Sequence, residues 1–503
     1  MKNLAQKNIL ILGLGASGLA MARWCARCGA QVTVADTRPA PPQLAALQTG
    51  VPAARFVNAA LDEALLAGAG FDIVLKSPGL SPASASGAIT AALAQGIACG
   101  NELSLFAQAL ADLKNDSAYS PKVIGITGTN GKTTVTSLAG QLIRRAGKLV
   151  AVAGNIGPTL LDTLTEKLDQ QLQDEALKLP EVWVLELSSF QLDGVSNFEP
   201  TVATVLNISQ DHLDWHETLP AYIAAKQNVY GSAALMLLNR DDSHVMAALP
   251  ATVKGKQARS YLTFGGDEPK RPGDYGIETV NGMAWLVRAV EADATIKGRK
   301  AEGLELHIQQ LMPLQALRIH GRHNATNALA ALALAVAVGC PLAPLLHGLR
   351  DYRGEPHRLE SVAVLDEIEY FDDSKGTNVG ATVAALAGLG AERKLVLILG
   401  GDGKGQDFSP LADPVSRYVR AVVLIGRDAP VIRAALQDIR VLLLDAASMH
   451  EAVGLAARRA RSGDAVLLSP ACASFDMFDN YAHRAQAFRD AVQCLAQETG
   501  AVL

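Results

Sequence analysis

The chain has 503 residues, of which 49% are hydrophobic and 19% charged; this excludes intrinsic disorder and, at roughly 150 residues per domain, predicts about three domains. The net charge of -5 and the lack of a basic stripe argue against a nucleic-acid partner. No apolar run approaches the roughly 20 residues that span a bilayer, and we find no secretory signal, so we expect a cytoplasmic protein without membrane insertion.

The N-terminal part begins with a predicted βαβ unit, in which strands at residues 8–12 and 31–35 flank a helix. A further strand is predicted at residues 71–75, and the domain is expected to end near residue 113. Residues 114–121 are polar and close with a proline, which predicts a linker.

A glycine-rich turn follows the first predicted strand. It contains Gly13, Gly15 and Gly18 in the spacing of a dinucleotide-binding loop, and Asp36 closes the next strand, where an acid can bond a ribose hydroxyl. The pattern indicates a nucleotide phosphate on a helix N-terminus. Alone it does not distinguish NAD, FAD and a UDP-sugar, and a tight turn without a ligand stays an alternative.

A second glycine loop follows a predicted strand at residues 122–127 and opens a helix, so its backbone amides can surround phosphates. Lys132 is expected to reach the terminal phosphates of a nucleotide, and the Thr133 hydroxyl to ligate magnesium. The usual spacing places a glycine at position 126, which here is Ile126. The glycines of this loop are Gly125, Gly128 and Gly131.

Charged residues then occur in or just after two predicted strands, at residues 181–187 and 201–207. Glu186 lies in an apolar strand, which is costly unless the carboxylate is paired or bound to a metal. His212 lies among acidic residues after the second strand, either in a solvated loop or at a ligand site. Ligands of parallel sheets gather at the carboxyl ends of strands, which makes both residues candidates.

The middle part of the chain ends in an apolar run at residues 328–338, which predicts a buried helix. Asn324 and Asn327 precede it with i,i+3 spacing, so they share one side and either cap the helix or contact a purine. Residues 264–310 alternate short segments and turns, which indicates a β-rich excursion. Helix-breaking residues at 352–356 predict a domain boundary.

The third part alternates predicted strands at residues 394–399, 421–425 and 465–469 with helical stretches, which predicts a parallel sheet. Arg358 follows the boundary, where it either binds a phosphate across a cleft or is exposed in a loop. All three parts of the chain are therefore predicted to be α/β.

Eight segments, in this order, resemble the Mur ligases along nearly the whole chain. The segments are GITGTNGKTT, LELSSFQL, NISQDHLDWH, GRHNATNALAA, EPHRLE, DDSKGTN, LILGGDGKGQDF and LLSPACASFDMF. DDSKGTN, at residues 372–378, is similar to the form of the members that add D-glutamate. The DNPR-type motif of the diaminopimelate-adding members is absent.

This resemblance implies an ATP-dependent, amide-forming ligase that adds D-glutamate to UDP-N-acetylmuramoyl-L-alanine through an acyl phosphate, in peptidoglycan precursor synthesis. Another Mur-type amino-acid ligase is the nearest alternative. An oxidoreductase would leave the Lys132 loop unexplained, and a nonenzymatic ATP switch would leave Lys375, Asp402 and Lys404 without a task.

The resemblance also implies three domains. A Rossmann-like UDP-substrate domain would occupy residues 1–113, and a P-loop ATPase-like central domain residues 121–353. A Rossmann-like D-glutamate domain would occupy residues 354–503.

The implied catalytic residues are Lys132, Glu186, His212 and Lys226. Two Mg²⁺ ions are expected, with Thr133 and Glu186 on the first and His212 on the second. Lys226 stands where the family carries a carbamylated lysine, whose added carboxylate would bind the second ion.

The remaining implied site residues divide by ligand. Asn155 would lie near the ATP phosphates and Asn324 on the adenine side, while Arg358 and Asp373 would contact the nucleotide from the third domain. The phosphate loop would contribute Gly125, Gly128, Thr129, Asn130, Gly131, Lys132, Thr133 and Thr134. The UDP-substrate would contact Gly13, Leu14, Gly15, Ala16, Asp36, Thr37, Arg38 and Ser77.

D-glutamate would contact a set of third-domain residues. Two of them, Phe475 and Tyr481, stand where relatives often have leucine and phenylalanine, a change that keeps an apolar wall. The full set is Lys375, Thr377, Lys404, Ser474, Phe475 and Tyr481.

Overall fold

The computed structural model describes residues 2–252, 257–292 and 306–500. The chain forms two compact units. The first consists of Met1–Ile208, His212–Phe264 and Ala330–Gly348, and the second of Ser209–Asp211, Gly265–Leu329 and Leu349–Leu503. Among the described residues, no helix combines the length and apolar character needed to cross a membrane.

The first unit opens with a five-stranded parallel sheet in the order β3-β2-β1-β4-β5. Consecutive residues of the central strand are buried, as expected for a parallel sheet covered on both faces. The strands are β1 Asn8–Leu12, β2 Gln31–Asp36, β3 Arg55–Asn58, β4 Ile73–Lys76 and β5 Ala98–Gly100. The helices are α1 Ala16–Arg27, α2 Leu44–Gly50, α3 Pro82–Ala94 and α4 Glu102–Ser117.

The linker predicted at residues 114–121 is wrong for its first half, because α4 continues through Ser117. Asn101 and Ser104 form a capping box that starts this helix, and Leu113 is buried on its inner face. The polar residues that suggested a linker continue the helix, which ends where Ala118 adopts a left-handed conformation with φ of 56°.

Six further strands of the first unit lie side by side, all parallel, in the order β11-β10-β9-β6-β8-β7. The strands are β6 Lys122–Thr127, β7 Val150–Gly154, β8 Val182–Glu186, β9 Val202–Val205, β10 Leu235–Asn239 and β11 Tyr261–Phe264. The helices are α5 Lys132–Arg145, α6 Leu160–Gln173, α7 Ser189–Leu192, α8 Leu213–His216, α9 Leu219–Gln227 and α10 Ser243–Met246.

The two groups of strands in the first unit share one continuous apolar core. Phe106 of α4 meets Trp183 of β8 edge to face, with ring centroids 5.1 Å apart. The carboxylate of Glu102 accepts a hydrogen bond from the Leu161 amide at 3.2 Å, and Asn101 donates to the Gln191 carbonyl at 3.0 Å. The core and these polar contacts account for the compactness of this unit.

The second unit contains an antiparallel run that confirms the predicted β-rich excursion where it is described; residues 293–305 lie outside the described residues. Its strands are β12 Tyr275–Val280, β13 Met283–Glu291 and β14 Leu306–Pro313. The chain continues through α11 Arg322–Ala337 and α12 Leu342–Asp351. The helix predicted from the apolar run is confirmed, because residues 328–335 are all buried.

The C-terminal sheet has the order β15-β16-β20-β17-β18-β19, parallel except for β15. The predicted parallel α/β arrangement is therefore confirmed here. The strands are β15 Glu360–Leu365, β16 Ile368–Asp372, β17 Leu395–Gly400, β18 Val419–Ile425, β19 Leu442–Asp445 and β20 Ala465–Leu468. The helices are α13 Val379–Gly390, α14 Ala412–Tyr418, α15 Ala429–Ala435, α16 Met449–Arg459 and α17 Tyr481–Thr499.

Candidate active site

The first glycine loop lies at the carboxyl edge of the N-terminal sheet. Gly13 has φ of +86°, and a Cβ at Gly18 would lie 2.1 Å from the Gly13 carbonyl oxygen, so both positions require glycine. The amide of Gly13 donates to the Ala35 carbonyl, and that of Ser77 to the Leu12 carbonyl. The ends of β1, β2 and β4 are thereby joined, which brings the residues implied for the UDP-substrate to one edge.

Asp36 organises this edge from within. One carboxylate oxygen accepts the Leu14 amide at 2.8 Å, and the Arg38 guanidinium donates to both oxygens at 2.9 and 2.8 Å. The hydrogen bonds from Arg38 lower the pKa of the Asp36 carboxyl to about 2. Asp36 thus fixes the glycine loop and the half-exposed Arg38, whose guanidinium is left at the rim.

The second glycine loop joins β6 to α5 through Gly128 and Gly131, whose φ values are +154° and +82°. The Lys132 ammonium donates to the carbonyls of Gly128 and Thr129, each at 2.8 Å. The lysine is thus bonded to the loop at the N-terminus of a helix, where anions are favoured.

Asn207, which the sequence interpretation did not assign, holds this loop. Its side-chain oxygen accepts the Asn130 amide at 2.8 Å, and its side-chain nitrogen donates to the Asn130 carbonyl at 3.1 Å. Its own carbonyl accepts the Thr129 amide at 2.9 Å. The signal was an asparagine two residues after the end of β9, the strand beside β6.

Glu186 ends β8 and is 1% exposed. Oε1 accepts a hydrogen bond from the Asn155 side chain at 2.9 Å, whereas Oε2 has no hydrogen-bond partner among the described residues. A buried carboxylate oxygen without a partner is costly, and a cation would satisfy it. Thr133 is buried in the first turn of α5, on the neighbouring β6 connection, so this donor set fits a magnesium ion.

Lys226 of α9 is also 1% exposed and contacts the phosphate loop. Its ammonium donates to the Gly128 carbonyl at 2.9 Å and lies 3.4 Å from the Thr127 hydroxyl oxygen. The same nitrogen is 4.6 Å from the ring centroid of Tyr222, whose hydroxyl is 3.0 Å from the Thr129 hydroxyl. A carbamate nitrogen could keep the bond to Gly128 while presenting a carboxylate to a metal.

His212 belongs to an aromatic cluster built from α7, α8 and α9. Its ring centroid is 4.8 Å from that of Phe190, which in turn lies 4.6 Å from Trp215. His216 Nε2 is 2.9 Å from the Ser189 hydroxyl. The cluster places His212 beside the segment that follows Glu186.

Burial lowers the pKa of His216 to about 4, and the nearby Lys226, His212 and Lys76 act in the same direction, against Asp193. The folded protein therefore favours the neutral ring. The resulting stability is fully present above pH 6.5 and is lost as pH falls towards 4.

We expect His216→Gln, which can still bond Ser189, to reduce this acid sensitivity. On lowering the pH from 7.5 to 5, the wild type should lose about 1 to 2 kcal/mol more unfolding free energy than the variant. Urea unfolding of both proteins at the two pH values measures the difference. Identical pH dependence would contradict the prediction.

In the second unit, three loops meet at the carboxyl ends of the adjacent strands β16, β20 and β17. They are residues 372–378, 400–406 and 470–475. Asp402 and Ala473 form an antiparallel bridge between the last two loops, with N–O distances of 2.9 and 2.8 Å. The residues implied for D-glutamate are therefore brought to one edge of this sheet.

Within this group, the Lys375 ammonium lies 5.4 Å from the ring centroid of Tyr481. Ser474 is buried, whereas Lys404 and Phe475 are exposed. Thr377 is half-buried in the Lys375 loop. The edge thus offers cations and a hydroxyl beside aromatic side chains.

His357 and Asp372 were missed from the sequence, although both lie in the segments used for the resemblance. His357 Nδ1 is 2.8 Å from the fully buried carboxylate of Asp372, and the ring lies 6.1 Å from Tyr481. Glu360 completes a cluster whose ligand atoms lie within 4.8 Å of one another. Arg489 donates to Glu360 at 2.6 Å and supplies positive charge there without a metal.

Arg484 is a second residue that the sequence did not reveal. It is 1% exposed and donates to the carbonyls of Cys472 and Ser374 at 3.0 and 2.8 Å. Burial lowers the pKa of its guanidinium to about 10. Arg484 therefore ties together the loops that carry Ser474 and Lys375.

The other nucleotide contacts that the resemblance implies also lie in the second unit: Asn324 from the middle part of the chain, and Arg358 and Asp373 from the third part. Asn324 donates to the His320 carbonyl at 2.8 Å and accepts from Asn327 at 3.1 Å. Burial raises the pKa of Asp373 to about 7, against the Ser469 hydroxyl at 2.7 Å and the charge of Arg358.

Three family models match the chain in succession. They describe a MurD-like N-terminal domain of Mur ligases at residues 7–100, a Mur ligase middle domain at 126–335 and a Mur ligase glutamate ligase domain at 357–472. A curated relative from Albidiferax ferrireducens, named UDP-N-acetylmuramoylalanine--D-glutamate ligase, is 65% identical over 100% of this chain and 99% of its own. The chain belongs to the Mur ligase family.

Other Mur ligases agree with this assignment. Relatives with the same printed name from Polaromonas sp. and Burkholderia pseudomallei are 58% and 57% identical, covering 100% and 98% of both chains respectively. MurF of Thermotoga maritima, solved with ADP, has a TM-score of 0.56 at 15% identity, covering 99% of this chain and 97% of its own. The family assignment confirms the predicted α/β fold class and the prediction of a ligase.

Proposed function

We propose that the chain joins D-glutamate to UDP-N-acetylmuramoyl-L-alanine at the expense of ATP, in peptidoglycan precursor synthesis. The observation that carries the proposal is the 65% identity along the whole chain with a relative named for this reaction. Three domains with boundaries near those of the family models would serve the three substrates, and the reaction would take place in the cytoplasm, where ATP is available.

An alanyl carboxylate needs a leaving group before an amine can replace one of its oxygens. The γ-phosphoryl group of ATP would pass to this carboxylate, giving an acyl phosphate and ADP. The amine of D-glutamate would attack the acyl carbon, and the tetrahedral intermediate would collapse with release of phosphate. Such a sequence relies on positioning and charge neutralisation and needs no nucleophilic side chain.

The phosphate loop would position the ATP phosphates and neutralise part of their charge. Its backbone amides and the N-terminus of α5 would hold the phosphates, and the Lys132 ammonium, now bonded to loop carbonyls, would turn to the terminal phosphate. The clamp from Asn207 keeps the loop in place. Loop and lysine together stabilise charge on the phosphoryl oxygens.

Two magnesium ions fit the residues around the phosphate loop. Thr133 and the open oxygen of Glu186 would hold one ion, and His212 with a carbamylated Lys226 the other. Bound magnesium would neutralise phosphate charge. The carbamate is needed because an ammonium repels a divalent cation and a carboxylate attracts it.

The amino acid would bind at the edge formed by β16, β20 and β17. Glutamate carries two carboxylates, and separate donors such as Lys375, Lys404 and Ser474 can hold both at once. Fixing both carboxylates directs the amine, so the L-isomer would present its amine in the wrong direction.

The proposal is tested with the purified chain in a phosphate-release assay. Release should require ATP, UDP-N-acetylmuramoyl-L-alanine and D-glutamate together, and L-glutamate should be a much poorer substrate. Equal use of both isomers, or a preference for L-alanine or a diamino acid, would contradict the D-glutamate assignment and favour another Mur-type ligase. A change in nicotinamide absorbance would favour an oxidoreductase.

We expect Lys404→Ala and Ser474→Ala to raise the KM for D-glutamate by about tenfold or more, with less than about a threefold change for ATP. Each removes a donor to one carboxylate. Steady-state kinetics with each substrate varied in turn provides the measurement. Lys394→Ala is the matched control, because Lys394 precedes β17 at its other end and donates to the Arg417 carbonyl. Equal effects on both KM values would contradict the assignment.

A further inference from the structure

Lys76 has no role in the site described above. It is the last residue of β4 and directly precedes Ser77, at the edge proposed for the UDP-substrate. The Leu80 amide donates to the Ser77 carbonyl at 3.1 Å, which closes a turn. The Lys76 ammonium donates to the Leu80 carbonyl at 3.3 Å, so the side chain lies back over this turn.

Two further contacts of the ammonium come from segments that follow strands β8 and β9 of the other sheet of the first unit. It lies 3.4 Å from a carboxylate oxygen of Asp193 and 4.8 Å from the ring centroid of Trp215. The side chain is 12% exposed, and burial lowers the pKa of Lys76 while Asp193 opposes the shift. Ion-pair and cation–π contacts are stronger in such a desolvated setting than on an open surface.

The two partners belong to the segments that carry implied metal ligands. Asp193 follows α7, the helix after Glu186, and Trp215 lies in α8, directly after His212. Phe190 of α7 packs on the rings of both His212 and Trp215, so the two segments are packed against each other. A single ammonium therefore contacts the turn at residues 77–80, here called the UDP-substrate turn, and the two segments that follow Glu186 and His212.

We propose that Lys76 is a positioning residue that holds the UDP-substrate turn against the segments after Glu186 and His212. The proposal rests on the proposed function, in which the alanyl carboxylate of the UDP-substrate must meet the phosphates held beside these segments. Near-attack alignment of two reactants is sensitive to shifts of about 1 Å, so loosening this contact slows the reaction without removing any group that touches a reactant.

The contact is separable from the fold. Asn101 donates to the Gln191 carbonyl at 3.0 Å and independently holds α7 against the N-terminal part of the unit. The continuous apolar core and the hydrogen bond that Glu102 accepts from the Leu161 amide also remain without Lys76. A neutral side chain of similar length at this position should therefore leave the unit folded.

The test compares Lys76→Met and Lys76→Arg with Lys7→Met. Lys7 is the matched control, because it forms a 2.9 Å ion pair with Asp72 beside the amino end of β1 in the same sheet. We expect Lys76→Met to raise the KM for the UDP-substrate and lower kcat by about tenfold each, with the KM for D-glutamate within about twofold. Lys76→Arg should restore most of the loss, because a guanidinium can bond the carboxylate and stack on the ring.

A double-mutant cycle identifies the partners. Asp193→Asn and Trp215→Leu should each reproduce part of the kinetic loss, and neither should add its full effect to Lys76→Met. Thermal unfolding shows whether each variant is folded, and Asp193→Asn tests the contact if Lys76→Met does not fold. The proposal would be overturned if Lys76→Met and Asp193→Asn were both folded and showed wild-type kinetics. It would also be overturned if the kinetic effects of the combined substitutions were fully additive.

A magnesium titration separates this proposal from the proposed function. Lys76→Met should need a magnesium concentration about fivefold higher than the wild type and Lys7→Met need to bind ATP. The reason is that the segments after Glu186 and His212 lose one of the contacts that fix their position. A wild-type chain that does not use UDP-N-acetylmuramoyl-L-alanine would overturn the proposed function, whereas an unshifted titration would overturn the role of Lys76.

Discussion

Lys132→Ala should abolish ATP-dependent phosphate release, with a loss of about 10³-fold or more, because one cation at the transferred phosphoryl group contributes several kcal/mol. Binding of the UDP-substrate should be almost unchanged, since its implied residues surround Gly13, Asp36 and Ser77 on the other sheet of the first unit. Single-turnover phosphate release and calorimetric titration with the UDP-substrate measure the two properties.

Lys148→Ala is the control for this experiment. Lys148 follows the other end of α5 and pairs with Glu181 at 3.5 Å, so it tests the loss of a lysine near the same helix away from the phosphate loop. It should leave phosphate release within about twofold of the wild type. Unchanged release in Lys132→Ala would remove the ATP assignment of the loop.

Lys226→Ala is the second variant with a large expected effect, a loss of turnover of about 10²-fold or more. The substitution removes a buried group that contacts the phosphate loop, together with the implied metal ligand. The carbamate itself should be visible directly. In ¹³C-bicarbonate the wild type should show a carbamate carbon signal by NMR, and Lys226→Ala should lack it.

The control is Lys132→Ala, which should keep the carbamate signal although it is inactive, because the carbamate would form on Lys226, whose ammonium separately donates to the Gly128 carbonyl. A wild-type spectrum without the signal in the presence of magnesium would contradict the modification. Full activity of Lys226→Ala would contradict a role for the residue in either form.

Short-range patterns in the sequence were sufficient to predict most of the elements that carry the site. Gly128, Gly131 and Lys132 predict a strand, a loop and a helix start because positive φ values and a helix N-terminus are local requirements. The apolar strand that ends in Glu186 is likewise a local pattern. The structure adds that one oxygen of this carboxylate has no hydrogen-bond partner in the part of the chain that is described. The roles of these residues stay predictions, since they rest on family resemblance.

The linker predicted at residues 114–121 shows where prediction from short sequence patterns fails. Polar residues are equally compatible with a linker and with the exposed face of a helix, and the capping box at Asn101 together with burial of Leu113 favours the helix. His357, Asp372 and Arg484 illustrate the same limit, because their importance lies in contacts between residues far apart in the chain.

By itself the sequence determined the α/β class, the two glycine loops and the strand ends at which ligands are expected, because turn geometry and hydrophobic periodicity act over a few residues. Only the tertiary structure decided which strand ends are neighbours, that Asn207 clamps the phosphate loop, and that Lys76 reaches both Asp193 and Trp215. These contacts depend on strand order and on a core shared by distant segments, and no local pattern encodes either.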